Sequence, residues 1–239
     1  GEQIKVVVSE ERVLGVSSLL LDHPETELFL LDDAYQHRFL KRDLNILLTS
    51  FDQPFYQDWL LPTGNLREPR REAKRADVVI VTKCPEGLTE EQKAEYENGV
   101  DNYNSNVTVF FSQINYANPI GRPKGEEPAE DILLITGIAN PSPLVSHLEQ
   151  DFQIKKHFSF PDHYQFRNRD LDEVENFARE NGLKSILTTE KDMVRLLSQE
   201  EHSIFKNCSL FYVPIVVEID KSEAFDELVF KTLKRKANL

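Results

Sequence analysis

The run DVVIVTK, Asp77 to Lys83, decides how this chain is read. Its centre, Val78 to Val81, is apolar and β-branched throughout, so the strand it predicts has no polar face and must be covered on both sides. Strands buried on both faces belong to parallel sheets, where crossover helices lie over each side. Working outward, IKVVV (Ile4 to Val8), ELFLLDD (Glu27 to Asp33), LNILLTS (Leu44 to Ser50) and VTVFFSQ (Val107 to Gln113) predict further strands of the same kind. Helical spacing lies between them. Glu10 to His23 sets Val13, Val16, Leu19 and Leu20 on one face, and another helix starts near Thr89.

Asn115 to Asp131 breaks this pattern with Pro119, Pro123, Pro128, two glycines and a cluster of acids, which predicts a linker over 115–131. The alternation then restarts. DILLITG (Asp131 to Gly137), IKKHFSF (Ile154 to Phe160), SILTTEK (Ser185 to Lys191) and a long SLFYVPIVVEI (Ser209 to Ile219) predict strands. Pro141 to Gln150, Asp170 to Asn181 with its stop at Gly182, a stretch to Leu197, and Glu223 to Lys236 predict helices. The fold class is therefore α/β, with a first unit over 1–114 and a second, smaller α/β unit over 132–239.

The bulk properties exclude some functions. At 239 residues, 40% hydrophobic and 29% charged, the chain has the composition of an ordinary globular protein. A net charge of -13 speaks against a general nucleic-acid surface, so no nucleic-acid partner is expected. Cys84 and Cys208 have no metal-ligand spacing and are expected as buried thiols in a reducing cytoplasm. No apolar run is long enough to span a bilayer, and no signal peptide is visible. A leading Gly1 in place of Met reads as a scar of tag removal, which makes an engineered fragment the expectation.

Three stretches carry candidate chemistry. In LLDDAYQHR (Leu30 to Arg38) an apolar run ends on two adjacent carboxylates, Asp32 and Asp33, followed by Gln36 and His37. Ligands of open α/β sheets bind at the carboxyl ends of strands, and a carboxylate there can hold Mg²⁺ beside a nucleotide phosphate. An aspartate in such a place also serves as a turn or helix cap. In LLPTGNLREPRREAKR (Leu60 to Arg75), Pro62 and Gly64 bend the chain ahead of Arg67, Arg70, Arg71, Lys74 and Arg75. Arginine suits bidentate contact with phosphate oxygens. Glu68 can join a Mg²⁺ site or pin an arginine, whereas Lys74 and Arg75 read as a solvated helix face. In FSFPDHYQFRNRDL (Phe158 to Leu171), His163 is the side chain suited to proton transfer, Asp162 can orient it, and Asp170 reads as a helix N-cap. TGIANP (Thr136 to Pro141) and TTEKD (Thr188 to Asp192) read as strand-end turns and caps.

LDDAYQHR, LPTGNLREP, ADVVIVTK, TGIANP, FPDHYQF and TTEKD occur here in the order found in lipid A 4'-kinases (tetraacyldisaccharide 4'-kinases), and the chain resembles that family over nearly its whole length. It departs mildly: Ala34-Tyr35 stands where the family has Gly-Phe or a similar pair, and Thr63 to Leu66 where it has Ala-Gly-Pro-Leu. The resemblance implies an incomplete P-loop-kinase-like parallel sheet and ATP-dependent phosphorylation of the 4'-hydroxyl of a tetraacyldisaccharide 1-phosphate. It also implies ATP and Mg²⁺ as cofactors and work at the membrane surface, on the cytoplasmic face of the bacterial inner membrane. Residue by residue, it implies Asp32 and Asp33 as Walker-B acids on the metal, with Asp33 taking a catalytic part, and Glu68 as another Mg²⁺-site acid. Arg67 and His37 would line the nucleotide cleft, and His163 would support a catalytic aspartate.

The phosphate loop G-x-x-x-x-G-K-[ST] does not occur in the chain, so the 239 residues alone are expected to lack kinase activity. Two other readings compete. A dehalogenase-like phosphatase needs Asp-x-Asp, and the third position is Ala34 or Tyr35. A non-catalytic α/β binding module without a phosphate loop is the second.

Overall fold

The structure, a computed structural model, describes residues 4–105, 107–122 and 125–237. Gly1 and Pro123 of the expected linker lie outside them. In chain order the elements are α1 (Arg12–Asp22), β1 (Ile46–Ser50), β2 (Val78–Thr82), α2 (Glu90–Asp101), β3 (Thr108–Tyr116), β4 (Ile120–Arg122), β5 (Asp131–Thr136), α3 (Ser142–Leu148) and β6 (Gln153–Ser159). They continue with α4 (Asn168–Asn181), β7 (Ser185–Thr189), α5 (Glu190–Leu196), α6 (Ile204–Asn207), β8 (Ser209–Val213), β9 (Ile215–Ile219) and α7 (Ser222–Ala237). The fold is α/β with parallel sheets. The chain divides into one compact unit of Gly1–Gln113 with Glu218–Leu239 and another of Ile114–Val217.

In the first unit the sheet order is β1-β2-β3-β9, with β1, β2 and β3 parallel. The DVVIVTK run is β2, an inner strand with neighbours on both edges, and Val78, Val79 and Val81 are fully buried. Alternate side chains go to opposite faces, as the pleat requires. Val79 and Val81 pack with Phe55, Ala73, Val100, Val109 and Phe111, whereas Val78, Ile80 and Phe110 pack with Phe225 and Leu228 of α7. The last helix therefore covers a face of the first sheet, although the sequence pattern attaches it to the second unit. Pro214 explains the return. It splits the long apolar run 209–219 into β8, which joins the second sheet, and β9, which joins the first. A proline cannot donate to a ladder, so one unbroken strand is not available there.

The apolar runs at 4–8 and 27–33, expected as strands, form none. Ile4, Val6, Val8 and Leu30 are 90%, 83%, 96% and 89% exposed. Their local pattern is that of β2, but no described strand offers them a ladder, and apolar side chains alone do not make a strand.

In the second unit the order is β4-β8-β7-β5-β6, parallel except that β4 runs antiparallel to β8. The 115–131 stretch thus contributes the end of β3 and the edge strand β4. One face packs Leu133, Ile135, Ile186 and Leu210 against Leu171, Val174 and Ala178 of α4 and Met193 and Leu196 of α5. The other sets Ile132, Leu134, Leu187 and Phe211 against Leu144 and Leu148 of α3. Helix α4 stops where its sequence predicts: Gly182 takes the left-handed conformation at φ 66°, which costs a residue without Cβ nothing. Its start differs. Asp170 lies inside the first turn, where its carboxylate accepts the Arg167 amide at 2.9 Å and the Tyr164 hydroxyl at 3.0 Å.

The LPTGN loop closes on itself. Asp58 Oδ1 accepts the amides of Trp59 at 2.7 Å and Asn65 at 3.2 Å, and Arg70 lies over the Trp59 ring at 4.8 Å. A Cβ on Gly64 would stand 2.3 Å from the Trp59 carbonyl oxygen and 2.6 Å from its nitrogen. Backbone atoms cannot yield cheaply, so Gly64→Ala is expected to destabilise the unit by about 1–3 kcal/mol. Trp59, the single tryptophan, reports it directly. A urea midpoint by Trp fluorescence that matches the parent would rule out the close approach.

Candidate active site

Asp32 and Asp33 follow the unpaired run 27–31, and both are exposed. Asp33 sits at φ 43°, a left-handed conformation that aspartate tolerates better than most side chains. Its carboxylate meets Arg67 Nη1 at 2.9 Å. The two groups, 34 residues apart in sequence, are thus brought together by the fold. Their side chains are 64% and 60% exposed, so the pair contributes about 0–1 kcal/mol to stability, and both charges face solvent. The Asp32 carbonyl accepts from Arg12 at 3.4 Å.

The residues after Asp33 are held by three arginines. Arg42 donates to the carbonyls of Ala34 at 2.6 Å and Tyr35 at 3.3 Å. Arg75 donates to the Tyr35 carbonyl at 2.9 Å and covers its ring at 4.4 Å. Arg38 reaches Glu68 at 3.0 Å and Glu72 at 2.8 Å. Arg75 also contacts Glu68, and Glu72 at 3.2 Å. The reading of Arg75 as a solvated helix residue is therefore corrected: its side chain is 20% exposed and works as a clamp, whereas Lys74 is exposed. The six-residue 3-10 helix Arg70–Arg75 aims Arg75 inward. Burial pushes the Tyr35 hydroxyl's pKa up, with Arg75 acting the other way, so the hydroxyl stays a donor to the Glu72 carbonyl at 2.8 Å. Tyr35, Arg38 and Arg42 gave no signal in the sequence, because their partners are backbone carbonyls and distant acids.

Asp32 and Asp33 present the oxygen ligands a hard divalent cation takes. Glu68 is placed differently: Oε1 faces Arg38 and Oε2 faces Arg75, so it pins arginines here. Among the described residues the three acids do not gather into a single ligand cluster; Asp172, Glu175 and His202 do. That group is closed by its own hydrogen bonds. The Ile204 amide donates to His202 Nδ1 at 3.2 Å, which leaves the proton on Nε2, 3.1 Å from Asp172. Ser203 and Asn207 donate to Glu175 at 2.5 and 2.7 Å. The Ser203 bond leads in holding that carboxyl below its ordinary 4.5. His37, half-buried, makes a turn through its amide to the Ala34 carbonyl at 3.0 Å.

His163 belongs to the second unit, and the other five predicted residues to the first. It too sits in the left-handed region, at φ 59°. Phe160 and Tyr164 stack at 4.8 Å, and both meet Phe166 edge-on at 5.3 and 5.7 Å, which fixes the loop. The imidazole is 75% exposed. Asp162 accepts the His163 amide at 2.9 Å, but its carboxylate is 3.7 Å from Nε2. The closer ring partner is Arg195, whose Nη2 lies 3.0 Å from Nδ1. Sequence reading missed Arg195, which stands one turn beyond TTEKD. Asp192 of that motif is fully buried and accepts from Gly137 N, the Thr189 hydroxyl and Arg195 Nη1, each at 2.8 Å. TGIANP, FPDHYQF and TTEKD, which read as separate motifs, thus form one cluster at the carboxyl ends of β5, β6 and β7.

These features define an α/β protein with parallel sheets, an acid–arginine loop in one unit and a histidine loop anchored at the strand ends of the other. The sequence profile described as Tetraacyldisaccharide-1-P 4'-kinase matches residues 1–234, and the chain belongs to that family. It is 39% identical over 237 residues to the tetraacyldisaccharide 4'-kinase of Flavobacterium johnsoniae, which covers 97% of this chain and 66% of that one. It is 38% identical over 240 residues to the tetraacyldisaccharide 4'-kinase of Cytophaga hutchinsonii, with 96% and 66% covered. Among solved structures it is similar to LpxK from Aquifex aeolicus in complex with ATP, at a TM-score of 0.63 and 28% identity over 95% of this chain and 64% of that one. The chain spans about two thirds of the length of the relatives it matches. Among the described residues no helix is long and apolar enough to cross a membrane.

Proposed function

We propose that this chain supplies part of the active site of a kinase that transfers the γ-phosphoryl group of ATP to the 4'-hydroxyl of a tetraacyldisaccharide 1-phosphate. The reaction would run at the cytoplasmic face of the inner membrane, on a lipid drawn from its surface. The observation that carries the reading is the Asp33–Arg67 pair beside Asp32, in a chain whose family bears the kinase name. Phosphoryl transfer needs positioning and charge neutralisation more than covalent chemistry. Asp32 and Asp33 would hold Mg²⁺, which neutralises phosphate charge when bound. Arg67 faces solvent and can turn its guanidinium to phosphate oxygens. His37 would line the same cleft. Glu68 would serve the metal indirectly, by keeping Arg38 and Arg75 on the loop, or directly if an arginine moved away. His163 would support a catalytic aspartate.

Because the 239 residues hold no G-x-x-x-x-G-K-[ST], the chain alone is expected to be inactive, and the active form would combine it with a phosphate loop. The test incubates the chain, and separately an intact kinase containing it, with γ-labelled ATP, Mg²⁺ and tetraacyldisaccharide 1-phosphate. Labelled 4'-phosphate is expected from the intact form only. Product from the chain alone would remove the inactivity claim. No product from either would leave the α/β binding module as the better reading.

A further inference from the structure

The His163 loop contains a contact that the family reading does not use. Arginine has hydrogen-bond donors and no acceptor. With Arg195 Nη2 at 3.0 Å, His163 Nδ1 must therefore accept, and the ring proton lies on Nε2. The guanidinium is itself held from behind. Nη1 is 2.8 Å from Asp192 Oδ1 and 3.3 Å from the Gly137 carbonyl, and Asp192 is fully buried with two further donors on its other oxygen. The Gly137 carbonyl also accepts the His163 amide at 3.2 Å, so one backbone group registers both the histidine and the arginine. A Cβ on Gly137 would lie 3.0 Å from Asp192 Oδ1, so a side chain there would press on the anchoring carboxylate. An exposed imidazole is thereby given one orientation by a buried anchor.

We propose that Arg195, anchored by Asp192, is a positioning residue that keeps His163 Nδ1 occupied and turns Nε2–H outward, so that His163 works as a hydrogen-bond donor to a carboxylate or hydroxyl. Protonation of Nδ1 and the Arg195 contact exclude one another, since two donors would then face each other. His163 in this arrangement does not take up the proton of the acceptor hydroxyl; it orients the group that does. The catalytic part of this inference rests on the kinase reading above, whereas the tautomer part does not.

The experiment measures the imidazole nitrogens by NMR in protein labelled with ¹⁵N-histidine, with His163→Ala identifying the signal. In the parent above neutral pH, Nε2 is expected to carry the proton and Nδ1 to show the shift of a hydrogen-bonded acceptor. In Arg195→Met, Nδ1 is expected to move to the free-imidazole position. Arg195→Lys keeps a cation for Asp192 but has no second arm for His163, so the same displacement is expected in a variant that retains the ion pair. It decides the matter if Arg195→Met does not fold. A proton on Nδ1 in the parent, or an unmoved Nδ1 signal in the folded variants, would overturn the contact. In the intact kinase both variants are expected to lower kcat by about 10- to 100-fold with the KM for ATP unchanged. Unchanged kcat together with a displaced Nδ1 would overturn the positioning role. If the parent kinase forms no 4'-phosphate, the kinase reading fails while the nitrogen shifts still decide the Arg195 contact.

Discussion

Replacing Asp33 by alanine in the intact kinase is expected to lower kcat on the order of 100- to 1000-fold, the range seen when one preorganised electrostatic group is removed from a reacting centre. The side chain is 64% exposed and its one ion pair is with an exposed arginine, so little folding energy depends on it. What Asp33→Ala removes is the carboxylate that would hold the metal and keep Arg67 beside it. The left-handed backbone at φ 43° complicates alanine, which is strained there. Asp33→Asn separates the two effects, because asparagine accepts this conformation while losing the charge. Both variants are expected to lose turnover, and Asp33→Asn to keep the parent's urea midpoint. Near-normal turnover in Asp33→Asn would take Asp33 out of the mechanism and leave its charge without a role.

The second large effect concerns stability. Asp192→Ala is expected to cost about 3–5 kcal/mol, the range for removing one partner of a buried ion pair. Three donors converge on this carboxylate at 2.8 Å, and deletion leaves the Gly137 amide without that acceptor and the Arg195 guanidinium without its buried counter-charge. Asp192→Asn, which keeps an oxygen for one of them, is expected to cost less. Urea unfolding followed by far-UV circular dichroism measures both, with the slope watched for a change because two compact units need not unfold together. A loss below about 1 kcal/mol for Asp192→Ala would mean that water or a rearranged loop replaces the carboxylate.

How much of this was legible in the chain differs from element to element. β2 was readable because a continuous β-branched run has one good environment, the middle of a covered sheet, and the fold supplies it. Helix α4 and its stop at Gly182 were readable because capping is local. Ile4 to Val8 has four β-branched residues of five, close to β2, and forms no strand, since pairing depends on residues far away in sequence. Pro214 was visible, but the switch from one sheet to the other was not, because the choice between two ladders is not written in the eleven residues around it. Arg75 read as a solvent residue because its partners, Tyr35 and Glu68, lie 40 and 7 positions away.

The sequence by itself determined the α/β class, the family and the candidate residues, because these follow from local hydrophobic pattern and from short motifs in order. The tertiary structure alone decided which groups touch: Asp33 with Arg67, Glu68 with two arginines, and His163 with Arg195 in place of Asp162. Such contacts depend on side-chain directions at strand ends and loops, where angstrom-scale placement selects the partner and no periodicity announces it.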